Sequence, residues 1–330
     1  MINGELIDLR AGEYTARIAT AGATLVHLRR GGRDLVLPFD AEAELPTGWQ
    51  GKTLAPWPNR TAGAAYTYGG TDYLLPRNEP ETDSALHGLV GWLDWQVADT
   101  ADTAEDAEDA ERTERSEGAE RLEDSVTLEV LLPASYAYPW SLELSSRWVL
   151  DADAGLTMTL TATCVGAARP SEAVVGAPLA NGDLLPAPYG AAFHPYLLRG
   201  AGADDCSLTV PATMVLTADE RMVPSGLADV AATDWDFRSG RPVAGVSVDN
   251  AFTGLPEGEW QVRVEGEGGA VVLASDAPWA QVYTDDGLGR RAIAVEPMTC
   301  PPNALNSGDG LLTLAVGQSH SLTCALREES

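Results

Sequence analysis

The sequence predicts an all-β protein, a large antiparallel sandwich whose loops are long enough to build a site. Three observations carry this expectation. Apolar and polar residues alternate with period two in most segments long enough to form an element, a pattern that buries one face of a strand. The 33 glycines and 21 prolines are spread throughout the chain and leave little room for long helices. At 330 residues and 45% apolar content, the chain can bury a sizeable core, and one domain spanning residues 1–330 is the expected organisation.

Taken in order, the first strands are expected within residues 14–37, a β-rich stretch interrupted by glycines. Residues 125–131, 142–150 and 156–162 alternate strictly, and the last two flank Asp151-Ala152-Asp153-Ala154-Gly155, which reads as a hairpin turn. A second hairpin is expected from residues 260–265 and 270–274 around Gly266-Glu267-Gly268-Gly269. Residues 292–295 read as a further strand, and residues 311–326 close the chain with more β pattern. Residues 99–124 depart from this. They are almost entirely Asp, Glu, Ala, Thr and Arg, with no large apolar side chain before Leu122, so they cannot bury a face and are expected to form an acidic surface insertion.

Composition narrows the partners. A formal net charge of -28 argues against nucleic acid and anionic membrane, both of which recruit cations. Neither a signal peptide nor an apolar run of membrane-spanning length stands out, which suggests a soluble cytoplasmic protein acting as a monomer or homodimer. Cys164, Cys206, Cys300 and Cys324 lie far apart without Cys-x-x-Cys spacing, so buried free thiols are expected rather than a metal cluster or disulfide framework. No metal or cofactor is called for.

The chemistry-bearing residues stand in apolar or stiff contexts. Phe193-His194-Pro195-Tyr196 restricts the backbone at His194, because proline limits the residue before it. Glu296 ends an apolar strand pattern and precedes Pro297, a place where burying a carboxylate without a task is costly. Leu86-His87-Gly88 sets an imidazole beside a residue that permits close backbone approach, although a satisfied core histidine has the same signature. Asn59-Arg60 follows Pro56-Trp57-Pro58 on a rigid path, and the alternative role for Arg60 is pairing with an acidic loop. Asp249, before Asn250, is either a site carboxylate or an Asx turn residue. Two imidazoles and two carboxylates so placed can move two protons in concert near neutral pH.

These motifs, Asn59-Arg60, Leu86-His87-Gly88, Phe193-His194-Pro195-Tyr196, Asp249-Asn250 and Glu296-Pro297, resemble in order and spacing those of the aldose 1-epimerase (galactose mutarotase) family, over nearly the whole chain. Gln281-Val282-Tyr283-Thr284 adds to the likeness, whereas Leu-His-Gly-Leu stands where His-Gly-Gly is more frequent, as in a bacterial epimerase-like subgroup. The resemblance implies a galactose-mutarotase-like β-supersandwich, mostly antiparallel with few short helices, binding a small sugar in an open cleft. It implies Glu296 as general base at the C1 hydroxyl and His194 as general acid at the ring oxygen, facing each other across a groove that a pyranose spans. Arg60, His87, Asp249 and Asn59 would bind the sugar, and Trp279 would offer an apolar face, with Trp92 and Trp57 in reserve. Three rivals stand beside it: a hexose-6-phosphate epimerase using Arg29, Arg30 or Arg77 as extra cations, a glycosidase using Asp249 and Glu296, and a non-catalytic sugar binder.

Overall fold

A computed structural model describes residues 1–98, 124–168, 185–284, 287 and 289–329, so nearly all of the acidic segment 99–124 lies outside the described residues. The regular elements of the described residues are strands, joined by turns and loops, apart from two single-turn 3-10 segments and the four-residue helix Ala304–Ser307. The strand pairings are antiparallel, as the alternation predicts.

A nine-stranded sheet runs in the order Gln96–Val97, Ser125–Leu132, Trp140–Asp151, Gly155–Ala167, Ser319–Glu329, Gly269–Ser275, Trp260–Gly266, Ser207–Thr209 and Arg241–Pro242. Both hairpins read from the sequence are in it. Trp140–Asp151 turns into Gly155–Ala167 because the Asp151 carboxylate accepts the N–H groups of Asp153 and Ala154, each at 2.8 Å. Gly155 completes that turn at φ +82°, where a Cβ would lie 2.3 Å from the Leu326 carbonyl oxygen. Along Trp140–Asp151 every second residue is buried, so Leu142, Leu144, Trp148 and Leu150 enter the core while Glu143 and Arg147 face outward. The outer face carries cross-strand hydroxyl pairs, Thr159 with Thr323, Thr161 with Ser321 and Thr163 with Ser319.

A second sheet is ordered Pro224–Asp229, Met214–Ala218, Asp249–Thr253, Trp279–Tyr283, Ile293–Met298, Ala192–Phe193 and Thr53–Leu54, with Tyr196–Leu197 also paired to Ile293–Met298. Its inner face joins the main core: Phe193 packs edge-on against Trp148 of the nine-stranded sheet at 5.9 Å, and Ile293, Val295, Val282 and Phe252 belong to the same cluster. A four-stranded sheet, Leu6–Ala11, Tyr14–Ala19, Thr24–Arg30 and Arg33–Asp34, contributes Leu9, Tyr14, Ile18 and Leu28 to that core. The four cysteines are free and buried, as expected. Among the described residues no helix is long and apolar enough to cross a membrane.

Candidate active site

Strand parity decides where the site forms. With Phe193, Val295 and Val282 turned into the core, their neighbours His194, Glu296, Gln281 and Tyr283 must emerge on the opposite face of the second sheet. The register that pairs Ala192 with Met298 and Tyr196 with Ala294 sets His194 directly opposite Glu296. Gln281 pairs with Glu296 and Asp249 with Tyr283, so Asp249 lies on the same face. Residues 47–49, 59–60, 78–79 and 86–87, from loops and from the short strand pair Arg60–Ala62 and Ser84–Leu86, wall this face into a cleft of about 360 Å³. A larger depression of about 590 Å³ lies on the outer face of the nine-stranded sheet, but no histidine or cation lines it among the described residues, so volume alone does not mark the site.

On the floor, His194 Nε2 lies 3.3 Å from Glu296 Oε1. This corrects the expectation that the two groups face each other across a groove; adjacent strands make them lateral neighbours. Glu296 is 2% exposed and His194 4%, so desolvation governs both. Burial pushes the Glu296 carboxyl well above its usual range, Asp249 adds to this and Arg60 opposes it. Burial pulls His194 down to about 3. Both shifts favour the uncharged forms, a protonated carboxyl beside a neutral imidazole, and among the described residues Glu296 Oε2 and His194 Nδ1 have no hydrogen-bond partner. The His194 ring is stacked on Tyr196 at 5.1 Å, and its backbone is tied at both ends, its N–H donating to the Lys52 carbonyl (3.0 Å) and its carbonyl accepting from Gly51 N–H (2.9 Å).

His87 meets His194 edge to face at 5.1 Å and Trp49 at 4.9 Å. Its own N–H donates to the Asn59 carbonyl (2.9 Å), while its Nδ1 accepts the Asn59 N–H (3.1 Å). Gly88 earns its place here, because a Cβ on it would lie 2.1 Å from the Ala55 carbonyl oxygen. Burial, with His194 and Arg60 nearby, lowers the His87 pKa well below its usual value. The donor atoms of His87, His194 and Glu296 lie within 4.8 Å of one another, a spacing that a metal ion can bridge.

Arg60 makes the pairing with an acidic loop that was its alternative role, and it also lines the cleft. Nε and Nη2 donate to the Glu79 carboxylate at 2.7 and 2.9 Å, and Nη1 reaches Asp249 Oδ2 at 3.4 Å. Asp249 is a strand residue rather than an Asx turn; Gln281 Nε2 donates to its Oδ1 at 2.6 Å. Its pKa is raised by burial, which Arg60 and Gln281 oppose. Asn59 borders the cleft, but its Oδ1 already accepts the Arg60 N–H at 2.8 Å.

Trp279 is the residue that the structure moves out of the site. It shares the face of Gln281 but pairs with Met298, two positions along the strand from Glu296, and packs in an apolar cluster with Ala251, Met298 and Leu54. The aromatic lining comes instead from Trp49, Tyr196 and Tyr283. Of the reserves, Trp57 is core, and Trp92 stacks edge-on against Trp49 at 5.5 Å with Lys52 Nζ 4.1 Å over its ring. Glu79 and Trp49 escaped the sequence reading. Glu79 precedes Pro80, the same signal that singles out Glu296 before Pro297; Trp49 has no comparable mark.

The chain matches the Aldose 1-epimerase family profile over residues 5–171 and 179–327. It is 35% identical over 322 residues to the uncharacterized protein YihR of Escherichia coli K12, covering 97% of this chain and 92% of that one. In structure it is similar to a GalM/aldose epimerase homologue from C. elegans, with a TM-score of 0.77, 20% identity and 98% of each chain covered. It is also similar to galactose 1-epimerase from Lactobacillus acidophilus NCFM, with a TM-score of 0.75, 19% identity and 100% and 96% of the two chains covered. The architecture is thus galactose-mutarotase-like, and the chain belongs to the aldose 1-epimerase family.

Proposed function

We propose that this protein interconverts the α and β anomers of a free aldohexose such as glucose or galactose, with Glu296 and His194 as the proton-transfer pair. The observation that carries this is their 3.3 Å contact at the floor of an open cleft. The two oxygens that must exchange protons, the C1 hydroxyl and the ring oxygen, are bonded to one carbon, so the groups serving them must be neighbours. Glu296 as carboxylate takes the C1 hydroxyl proton, the oxygen's electron pair forms the aldehyde C=O, and the C1–ring oxygen bond breaks. The ring oxygen keeps that bond's electrons and takes a proton from His194. Rotation about C1–C2 and the reverse transfers close the ring on the other face, with no net change in protons.

This direction of transfer needs the shared proton on His194, although burial favours it on Glu296 in the protein alone. A C1 hydroxyl donating to the unpartnered Glu296 Oε2 stabilises the carboxylate, and the Arg60 charge acts in the same sense. Two positioned proton-transfer groups, each contributing about 10²–10⁴-fold, suffice for a reaction that already proceeds unaided in water.

An unphosphorylated substrate fits the charges. Arg60 is the one cation among the described lining residues, and it is committed to Glu79 and Asp249. Arg29, Arg30 and Arg77 pair with Asp34, Glu13 and Asp83 and do not line the cleft. Polarimetry of freshly dissolved α-glucose and α-galactose, beside a coupled assay on glucose 6-phosphate, tests the reading. Acceleration confined to the free sugars is expected; acceleration of the phosphate alone transfers the site to the rival substrate, and none at all reduces it to a binder.

A further inference from the structure

The three donors His87, His194 and Glu296 resemble the two-histidine, one-carboxylate set that holds divalent transition metals. One hydrogen bond decides against that use. His87 Nδ1 lies 3.1 Å from the backbone nitrogen of Asn59, and an amide N–H can only donate, so Nδ1 must accept and carries no proton. In a neutral imidazole the proton is then on Nε2. A histidine that binds a metal through Nε2 needs the opposite arrangement, with Nδ1–H donating to an acceptor.

The backbone is built to aim this N–H. Asn59 and His87 both adopt left-handed conformations, at φ +52° and +62°, a region that Asn and His enter more readily than most residues. They face each other in reciprocal contact, since the His87 backbone N–H donates to the Asn59 carbonyl at 2.9 Å. The Asn59 side chain holds the turn from the other side through its bond to Arg60 N–H. Trp49 packs against the imidazole at 4.9 Å. His194 has no such lock, for its Nδ1 finds no hydrogen-bond partner among the described residues.

We propose that the Asn59 backbone N–H is a positioning group that fixes His87 as the Nε2–H tautomer, making it a one-way hydrogen-bond donor into the cleft and unfit as a third metal ligand. Only the identity of the acceptor, a sugar oxygen, rests on the proposed epimerase activity; the tautomer does not.

The test is long-range ¹H–¹⁵N correlation spectroscopy of the full chain labelled with ¹⁵N-histidine, which reads the protonated nitrogen of each ring. His87 is assigned by the signal lost in His87→Gln or, should that variant not fold, by ring-to-ring contacts with His194. The expected signature is a protonated Nε2 and a bare Nδ1, unchanged between about pH 5 and 8. Asn59→Gly, which keeps the N–H and the left-handed backbone, is expected to leave that signature in place. A proton on Nδ1, averaging between tautomers, or titration within this range overturns the proposal. So does saturable binding of Zn²⁺ that shifts the His87 signals on titration with zinc chloride. None of these readouts uses turnover, so an inactive protein with the Nε2–H signature would sink the epimerase reading and leave this one standing.

Discussion

His87 and His194 touch edge to face, yet they are held in opposite ways. The loop wall fixes the His87 ring by a backbone donor on one nitrogen and a tryptophan on its side, whereas the sheet floor fixes the His194 backbone and leaves ring nitrogen Nδ1 without a partner. Rigid backbone with a ring nitrogen facing a carboxyl suits a group that gains and loses a proton at constant position; a ring whose other nitrogen is committed to a backbone donor suits a group that only donates. The difference teaches that neighbouring imidazoles of similar burial can be assigned different tasks from their partners alone.

The comparison breaks most visibly at the floor. His194→Ala is expected to reduce turnover by about 10²-fold or more with circular dichroism unchanged, because a proton-transfer group is lost. Near-normal turnover in that variant would remove His194 from the chemistry. Asp249→Asn is expected to raise KM about tenfold with a smaller effect on kcat, since it removes a charged hydrogen-bond acceptor from the cleft floor and acts on the Glu296 proton only through the field of its charge. A fall in kcat of equal size would show Asp249 acting in the chemical step.

The pH dependence sharpens the contrast further. His194 is lowered to about 3 in the folded protein against 6.5 for a free imidazole, so between those values the unfolded chain binds more protons. Its contribution to stability is complete above about 6.5 and is lost as pH falls toward 3. His194→Gln should flatten the fall in Tm over that window, and an unchanged slope would show that His194 is not buried neutral. Glu296 has the opposite sign, its raised value favouring the folded state at low pH and weakening it as pH rises. Because the pair keeps one proton throughout, turnover is expected to stay flat from about pH 5 to 8 rather than show an acid limb near 6.5.

The smallest effect on catalysis is expected at Trp279→Ala, with kcat and KM within about twofold of wild type and a stability loss of about 1–3 kcal/mol from lost packing, read from denaturant unfolding. A large rise in KM would return Trp279 to the sugar site.

Much of this was legible in the sequence because period two and turn chemistry are local. The Asp151 turn and the glycine hairpin both follow from neighbouring residues. The stiff contexts before Pro195 and Pro297 pointed to those two side chains for a physical reason, restricted backbone and costly burial. What failed was distance. Parity puts Trp279 on the correct face but says nothing of how far along the strand the cleft reaches. Strand order, which sequence does not display, turned an expected pair across a groove into direct neighbours. Glu79 and Trp49 arrive on loops whose meeting with the sheet no local pattern encodes.

The claim on which the rest depends is that Glu296 exchanges a proton with the sugar at this floor. Polarimetry of fresh α-glucose and α-galactose with wild type and Glu296→Gln at equal concentration addresses it directly. Wild type is expected to hasten the approach to anomeric equilibrium for at least one of these sugars, and the folded variant to lose about 10²-fold or more of that acceleration. Equal acceleration by both proteins would contradict it.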